Sequence, residues 1–215
     1  MSRLPFARGC EGELIGSAVA FILTVLLART YPNVWTYLLA TLATLVFIVF
    51  LVFFRDPERT PPSDPSLLVS PADGRVVMIK DVDDPQIGAA TRISVFLSLF
   101  DVHVNRSPLN AQALSIEHFD GQFNHAASAD ASEVNERNTV LLQAGSTKIV
   151  VRQIAGLVAR RIVCWTKSGD MLERGERFGL IKFGSRVDII LPRGTQILIK
   201  VGDTVRGGET AIAKL

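Results

Sequence analysis

Histidine and cysteine are scarce in this chain, three and two residues out of 215, and where they stand excludes two kinds of chemistry. Cys10 and Cys164 are far apart, one beside an apolar run and the other in a predicted strand. No disulfide framework follows from them, and a reducing compartment suits them best. None of His103, His118 and His125 stands in a His-x-x-x-His or Cys-x-x-Cys spacing, so no metal site is expected. The net charge is also small, +2 at pH 7, and no nucleic-acid partner is expected.

That small net charge hides an uneven layout. Residues 55–147 carry 7 basic and 13 acidic side chains, whereas residues 148–200 carry 11 basic and 4 acidic ones. A basic half suits an anionic lipid surface or a phosphate-bearing substrate. Pairing of the two halves inside the fold accounts for the same pattern equally well.

Charge is missing altogether from two stretches, Leu14–Ala28 (15 residues) and Val34–Phe54 (21 residues). The second is long enough to span a bilayer; the first is marginal, and a tilted, re-entrant or interfacial helix would also suit it. No small-x-small cleavage site follows the first run, which argues against a removed signal peptide. Arg3 and Arg8 precede the pair, Arg55 and Arg59 follow it, and only Arg29 lies between. The positive-inside rule then predicts a helical hairpin over residues 1–54, in the cell membrane, with both ends in the cytoplasm. A buried core hairpin of a soluble protein is the alternative.

Pro57, Pro61, Pro62 and Pro65 make residues 55–66 a stiff extended linker. From residue 67 to 215, short apolar runs alternate with Gly, Pro, Asp and Ser clusters, as in Arg75–Ile79, Ile93–Leu99, Ile149–Ile154 and Val187–Leu191. The pattern predicts a mainly β, largely antiparallel domain. Asp120–Asn138 is polar and reads as a mobile loop or short helix over one end of the sheets. Val201–Leu215 resembles the turn-and-strand unit of biotinyl and lipoyl carrier domains, which points to a barrel-sandwich-like fold. No lysine stands where a carrier needs one at a hairpin tip, Lys214 being one residue from the end, so a swinging-arm role is not expected.

The stretch with unusual chemistry is Lys182-Phe-Gly-Ser-Arg-Val-Asp188. A serine hydroxyl can add to the carbonyl of a preceding glycine and exchange the amide for an ester. Loss of the serine Cα proton then expels the acyl chain and leaves a dehydroalanine, which hydrolyses to a pyruvoyl group. Glycine suits the position before the break because, lacking Cβ, it tolerates strained dihedrals. Gly-Ser also occurs at Gly16-Ser17 and Gly145-Ser146, and the dipeptide alone reads as an ordinary turn. Asp73, in Ser70-Pro-Ala-Asp-Gly74, and His103, at the end of an apolar run, supply with Ser185 a carboxylate, a base and a nucleophile. Asp101, two residues before His103 and on the same face of a strand, is a second candidate to orient it. His118 and His125 lie in polar sequence and suit the role less.

Several ordered motifs give the chain a wider resemblance: Phe54-Arg-Asp-Pro-Glu-Arg59, Ser70-Pro-Ala-Asp-Gly74, Asp101-Val-His-Val-Asn-Arg-Ser-Pro108, Asn135-Glu-Arg137, Gln153-Ile-Ala-Gly156 and Gly179-Leu-Ile-Lys-Phe-Gly-Ser-Arg-Val-Asp188. From Phe53 to the end the sequence resembles the short, bacterial and archaeal form of phosphatidylserine decarboxylase. The resemblance implies self-cleavage between Gly184 and Ser185 into a large piece (1–184) and a small one (185–215). It implies a pyruvoyl group derived from Ser185, a Schiff base with phosphatidylserine of the membrane, and release of phosphatidylethanolamine and CO2. It also selects Ser185 over Ser146. The longer family form has a second histidine three residues after the first; here that position is Arg106, so His103 would have to serve both self-cleavage and decarboxylation. The oligomeric state stays open, including a homo-oligomer. Two other readings fit parts of the sequence: a membrane-anchored serine hydrolase using Asp73, His103 and Ser185 with an intact chain, and a non-catalytic barrel-sandwich module.

Overall fold

The computed structural model describes residues 5–124, 128, 131–156, 161–182 and 185–215. The chain divides into two compact units, Met1–Pro57 and Glu58–Leu215.

The first unit is a helical hairpin. Helices α1 (Glu11–Thr30) and α2 (Val34–Phe53) have 20 residues each, about 30 Å of helix at 1.5 Å per residue. Asn33 ends the connection by accepting from the backbone N–H of Trp35 and Thr36, while Thr36 Oγ1 accepts from the Asn33 N–H, a reciprocal cap. Phe21 stacks on Phe47 with ring centroids 5.5 Å apart. The hydroxyls of Thr24, Thr30, Thr41 and Thr44 donate to carbonyls three or four residues back, so these polar groups are satisfied within their own helices. Leu23, Trp35, Leu42 and many other large apolar residues of both helices are exposed, which is not how a soluble core hairpin buries its apolar side chains and is the surface expected of helices that meet lipid. The Ala7 N–H donates to the Phe54 carbonyl and the Asp56 N–H to the Pro5 carbonyl, both at 2.8 Å. The two ends of the hairpin, with Arg8 and Arg55, therefore lie together.

The second unit is mainly β and antiparallel throughout its named strands. These are β1 (Leu67–Val69), β2 (Gly74–Asp84), β3 (Gly88–Leu97), β4 (Val104–Arg106), β5 (Ala111–Phe119), β6 (Arg137–Ala144), β7 (Thr147–Ile154), β8 (Arg161–Cys164), β9 (Met171–Leu172), β10 (Arg177–Lys182), β11 (Ser185–Pro192), β12 (Gln196–Ile197), β13 (Thr204–Val205) and β14 (Ala211–Lys214), with a one-turn helix α3 (Ala131–Val134) between β5 and β6. One curled eight-stranded sheet runs β13-β2-β3-β11-β7-β6-β5-β9; two three-stranded sheets run β4-β10-β8 and β1-β14-β12.

Period-two alternation sorts the large sheet into two faces. Ile93, Val95 and Leu97 of β3, Val187, Ile189 and Leu191 of β11 and Ile149 and Val151 of β7 form the main core. The opposite face carries Ala90, Val150 and Ile190 and then, toward one end, charged side chains. At Gly74 (φ +146°) an added Cβ would lie 2.1 Å from the Phe96 carbonyl oxygen, so only glycine lets β2 start this close to β3.

Strand β2 extends well past its apolar run Arg75–Ile79, and β5 forms where no apolar run predicts a strand. Lys80–Asp84 and Gln112, Ser115 and Glu117 look like loop residues, yet they pair with β3 and β6 along their whole length. Their polar side chains belong to faces that the main core does not use. The polar stretch after β5 contains α3, and some of its polar side chains are buried while Asp120 and Glu133 stay exposed: Ser132 and Asn135 are inaccessible, and Asn135 Nδ2 donates to the carbonyls of Asn124 and Ala155 at 2.8 Å. The uneven charge layout is partly paired off within the fold, Arg152 meeting Asp84 in a buried pair while Arg177–Glu58 and Arg193–Asp81 pair at the surface.

Candidate active site

The site starts from a change of sheet. β10 ends at Lys182, paired with Arg161 of β8; β11 begins at Ser185, paired with Leu97 of β3. Phe183 and Gly184, which lie outside the described residues, join strands of two different sheets. Both flanks of the Gly184–Ser185 link are thus held by backbone pairing. Ser185 is fully buried and shares the core face of Val187 and Leu97. Its Oγ has no hydrogen-bond partner among the described residues. A buried hydroxyl without a partner is costly, so an orphan here is a functional signal. The other two Gly-Ser pairs differ. Ser17 Oγ donates back to the Leu14 carbonyl within α1, and Gly145-Ser146 (Gly145 φ +58°) is the exposed two-residue turn between β6 and β7.

His103 stands just before β4 and is fully buried. Its backbone carbonyl accepts from the Ile181 N–H at 3.3 Å, four residues before Ser185. One step further along β4, Asn105 Oδ1 accepts from Gln153 Nε2 at 2.8 Å, and Asn138 Nδ2 donates to Gln153 Oε1 at 3.0 Å. This buried amide chain ties β4 to β7 at the level of Val187, the register partner of Gln153. Moving two residues along each strand, His103 and Ser185 come to the same end of the assembly. His103 Nδ1 lies 2.9 Å from the Asp101 carbonyl oxygen. With the proton on Nδ1 for that bond, Nε2 is left as the basic nitrogen.

The two candidate carboxylates serve different partners. Asp73 Oδ2 is 2.8 Å from Arg59 Nη2, and its Oδ1 accepts from the Gly207 N–H at 2.7 Å. Arg59 also holds Glu209 at 2.9 Å. Asp73 reaches the site through the backbone: Gly74 follows it, Arg75 pairs with Phe96, and Leu97 pairs with Ser185. Two strand spacings, about 10 Å, separate β2 from β11. Asp101 Oδ2 accepts from the Ser98 N–H (2.8 Å) and Oγ (2.7 Å). It is the Asp101 backbone carbonyl, not its carboxylate, that faces the His103 ring.

His118 is half-exposed, 3.6 Å from Asp120 and 3.8 Å from Glu136, and His125 lies outside the described residues. Burial pushes the Cys164 thiol up, which keeps it protonated and a poor nucleophile. Among the described residues no cluster of His, Cys, Asp or Glu is arranged to hold a metal.

Immediately after Ser185 comes a buried ionic group that the sequence does not announce. Arg186 Nε lies 3.0 Å from Asp188 Oδ1, its Nη1 donates to the Ser128 carbonyl at 2.7 Å, its Nη2 meets Ser132 Oγ, and Ser132 Oγ donates to Asp188 Oδ2 at 2.5 Å. Arg186 and Asp188 are fully buried on the face opposite the main core. They fix the start of β11 to Ser128 and Ser132. The polarity of Asp120–Asn138 is the sequence signal that could have pointed to it.

The sequence that builds this site matches known proteins. The family model for phosphatidylserine decarboxylase matches residues 46–213, which spans β1–β14 and the Gly184–Ser185 link. The chain belongs to the phosphatidylserine decarboxylase family. Relatives named phosphatidylserine decarboxylase proenzyme include one from Pelobacter propionicus, 42% identical over 204 residues (94% of this chain and 93% of the relative). A second, from Ruegeria pomeroyi, is 50% identical over 169 residues (76% and 77%), and a third, from Trichlorobacter lovleyi, is 48% identical over 164 residues (76% and 75%). Arg106, where the longer family form has its second histidine, is buried and donates from Nη1 to the Gly175 carbonyl at 3.0 Å. In this member of the decarboxylase family that position is part of the framework.

Proposed function

We propose that the protein is made as a proenzyme, cuts itself between Gly184 and Ser185, and then converts phosphatidylserine to phosphatidylethanolamine and CO2. The observation that carries the reading is the buried Ser185 hydroxyl, without a partner among the described residues, at the junction of two sheets, in a family with relatives named proenzymes.

In the first step His103 Nε2 takes the hydroxyl proton as Ser185 Oγ bonds to the Gly184 carbonyl carbon. The amide C–N bond breaks, the nitrogen takes up the proton, and an ester joins the two halves. Removal of the Ser185 Cα proton then breaks the Oγ–Cβ bond, leaving a carboxylate on Gly184 and a dehydroalanine at 185. Water adds, ammonia leaves, and residue 185 becomes a pyruvoyl group. Two features favour this: Ser185 is enclosed, and the residue before it in sequence is glycine, the least hindered one. When formed, the ketone supplies an electrophile for the amine of the lipid headgroup and a sink for the electron pair left by CO2. His103 then acts as the acid that returns a proton to the α-carbon. A buried site excludes bulk water from that carbon.

The pieces 1–184 and 185–215 stay together. β11 is paired along both edges, and β13 and β14 are paired with β2 and β1, so one broken peptide bond leaves these strand contacts in place.

Asp73 is proposed to position the reaction centre from β2, through Arg59 and the Gly207 amide. Asp73→Asn removes the charge opposite Arg59, and self-cleavage should slow by about tenfold or more with the fold intact. Asp101→Asn keeps the backbone carbonyl that faces His103 and should slow it less. Time courses on denaturing gels decide; normal processing in Asp73→Asn with arrest in Asp101→Asn would transfer the role to Asp101.

The helical hairpin is proposed to hold the enzyme in the cell membrane with the β unit on the cytoplasmic side, since Arg8, Arg55 and Arg59 flank one end and Arg29 the other. Deleting residues 1–54 leaves every proposed catalytic residue, so self-cleavage should persist. Turnover of phosphatidylserine in vesicles should fall by about tenfold or more while that of a short-chain, dispersed phosphatidylserine is retained, because anchoring confines enzyme and substrate to one surface. Loss of cleavage in a folded truncated protein would make the hairpin part of the catalytic core.

A further inference from the structure

We propose that the turn Ser98–Asp101 is a second membrane contact: Leu99 and Phe100 enter the acyl-chain layer and seat the Ser185 end of the sheets on the lipid surface. The inference rests on the phospholipid reading of the site. Its observations are of the β unit alone.

Phe100 is 80% exposed and Leu99 52%. Among the described residues of the β unit no large apolar side chain is more exposed than Phe100, and the two form an adjacent apolar pair at the tip of a four-residue turn. Turns favour Gly, Asn, Asp, Ser and Pro, so two large apolar residues at the centre of one are unusual. Nor is the turn loose. The Asp101 N–H donates to the Ser98 carbonyl at 3.0 Å, and the Asp101 carboxylate is folded back on the Ser98 N–H and hydroxyl. The closing hydrogen bonds leave the apolar pair at the tip.

Both stems of the turn end in the reaction centre. On one side Leu97 is the register partner of Ser185; on the other, Asp101 accepts from the His103 ring two residues on. Whatever the tip touches is therefore a few residues from the reacting serine. The site itself is buried, so a two-chain lipid must present its headgroup from outside while its acyl chains remain in hydrocarbon. A bilayer under Leu99 and Phe100 meets that requirement. Arg75, paired with Phe96 beside the turn, and Arg161, paired with Lys182 beside the scissile link, are both exposed at the same end of the sheets. They suit anionic headgroups around an apolar tip. A short turn carrying one leucine and one phenylalanine is too small to anchor a protein by itself, but an already tethered enzyme needs only orientation from it.

The test uses the full chain, reconstituted in vesicles of phosphatidylcholine and phosphatidylserine. Phe100→Trp adds an indole at the tip, and its emission is taken as the difference from the unsubstituted protein, which already has Trp35 and Trp165. Phosphatidylcholine brominated in the acyl region near the headgroups should quench the added emission, and more strongly than lipid brominated near the bilayer centre. An added emission that neither lipid quenches overturns the proposal, whether water or a second copy of the chain covers the tip. In parallel, Leu99→Ser/Phe100→Ser should self-cleave normally and sediment with vesicles as before. Its turnover of vesicle phosphatidylserine should fall about tenfold, with turnover of short-chain, dispersed phosphatidylserine changed by less than about twofold. An equal fall on both substrates, with normal cleavage, also overturns it, because the turn would then serve the site and not the bilayer. If the unsubstituted protein turned over neither substrate, the decarboxylase reading would fail, while the quenching would still decide whether the tip enters lipid.

Discussion

Ser185→Ala should leave the purified protein as a single 23.5 kDa chain with no decarboxylase activity above background, whereas the unsubstituted protein should separate in denaturant into a large piece and one of about 3 kDa. The effect is total because the substitution removes the only atom that can carry the acyl transfer. Alanine has no Oγ, so no ester forms, nothing is eliminated, and residue 185 keeps an ordinary amide. The fold should be unaffected or slightly stabilised, since the lost hydroxyl is buried without a partner among the described residues and its burial only costs free energy. Intact mass and thermal unfolding check both halves of the expectation. An uncleaved yet active unsubstituted protein would sink the pyruvoyl reading and return the site to a serine hydrolase, which needs the same side chains but keeps its chain whole.

His103→Ala should arrest self-cleavage, lengthening its half-time by about a hundredfold or more, the usual worth of a positioned general base. A serine hydroxyl is a weak nucleophile unless its proton is removed as it attacks. His103 is the described histidine whose ring is buried at the Ser185 end of the sheets, and the Asp101 carbonyl selects the tautomer with Nε2 unprotonated. The measurement is a time course by denaturing gel from freshly made protein, with circular dichroism to confirm the β fold. A cleavage rate near normal in a folded His103→Ala protein would assign the base elsewhere. A chain that cleaves slowly to completion and then fails to decarboxylate would confine His103 to the second reaction. That outcome would separate the two duties that Arg106, in place of a second histidine, leaves to one residue.

The sequence by itself determined the two apolar helices, because length and freedom from charge are local properties that a bilayer reads directly. It also determined the β class, through apolar alternation and turn residues, and the chemical possibility at Gly184-Ser185, which lies in the covalent structure of the dipeptide. It could not show why one Gly-Ser pair differs from another. Gly145-Ser146 and Gly184-Ser185 look alike on paper, but one is an exposed hairpin turn and the other joins two sheets with its serine buried against Leu97. Nor could it place Asp73, which meets Arg59 and Gly207 across 14 and 134 residues of chain. The Arg186–Asp188–Ser132 group was hidden for the same reason: Ser132 lies 54 and 56 residues before the other two, and the stretch that covers it looks like a solvated loop because the surface it packs on is charged. Hydrogen bonds and ion pairs act over a few ångströms and do not depend on sequence separation. Only the packed sheets decided which of the chain's serines, carboxylates and arginines would come within that range.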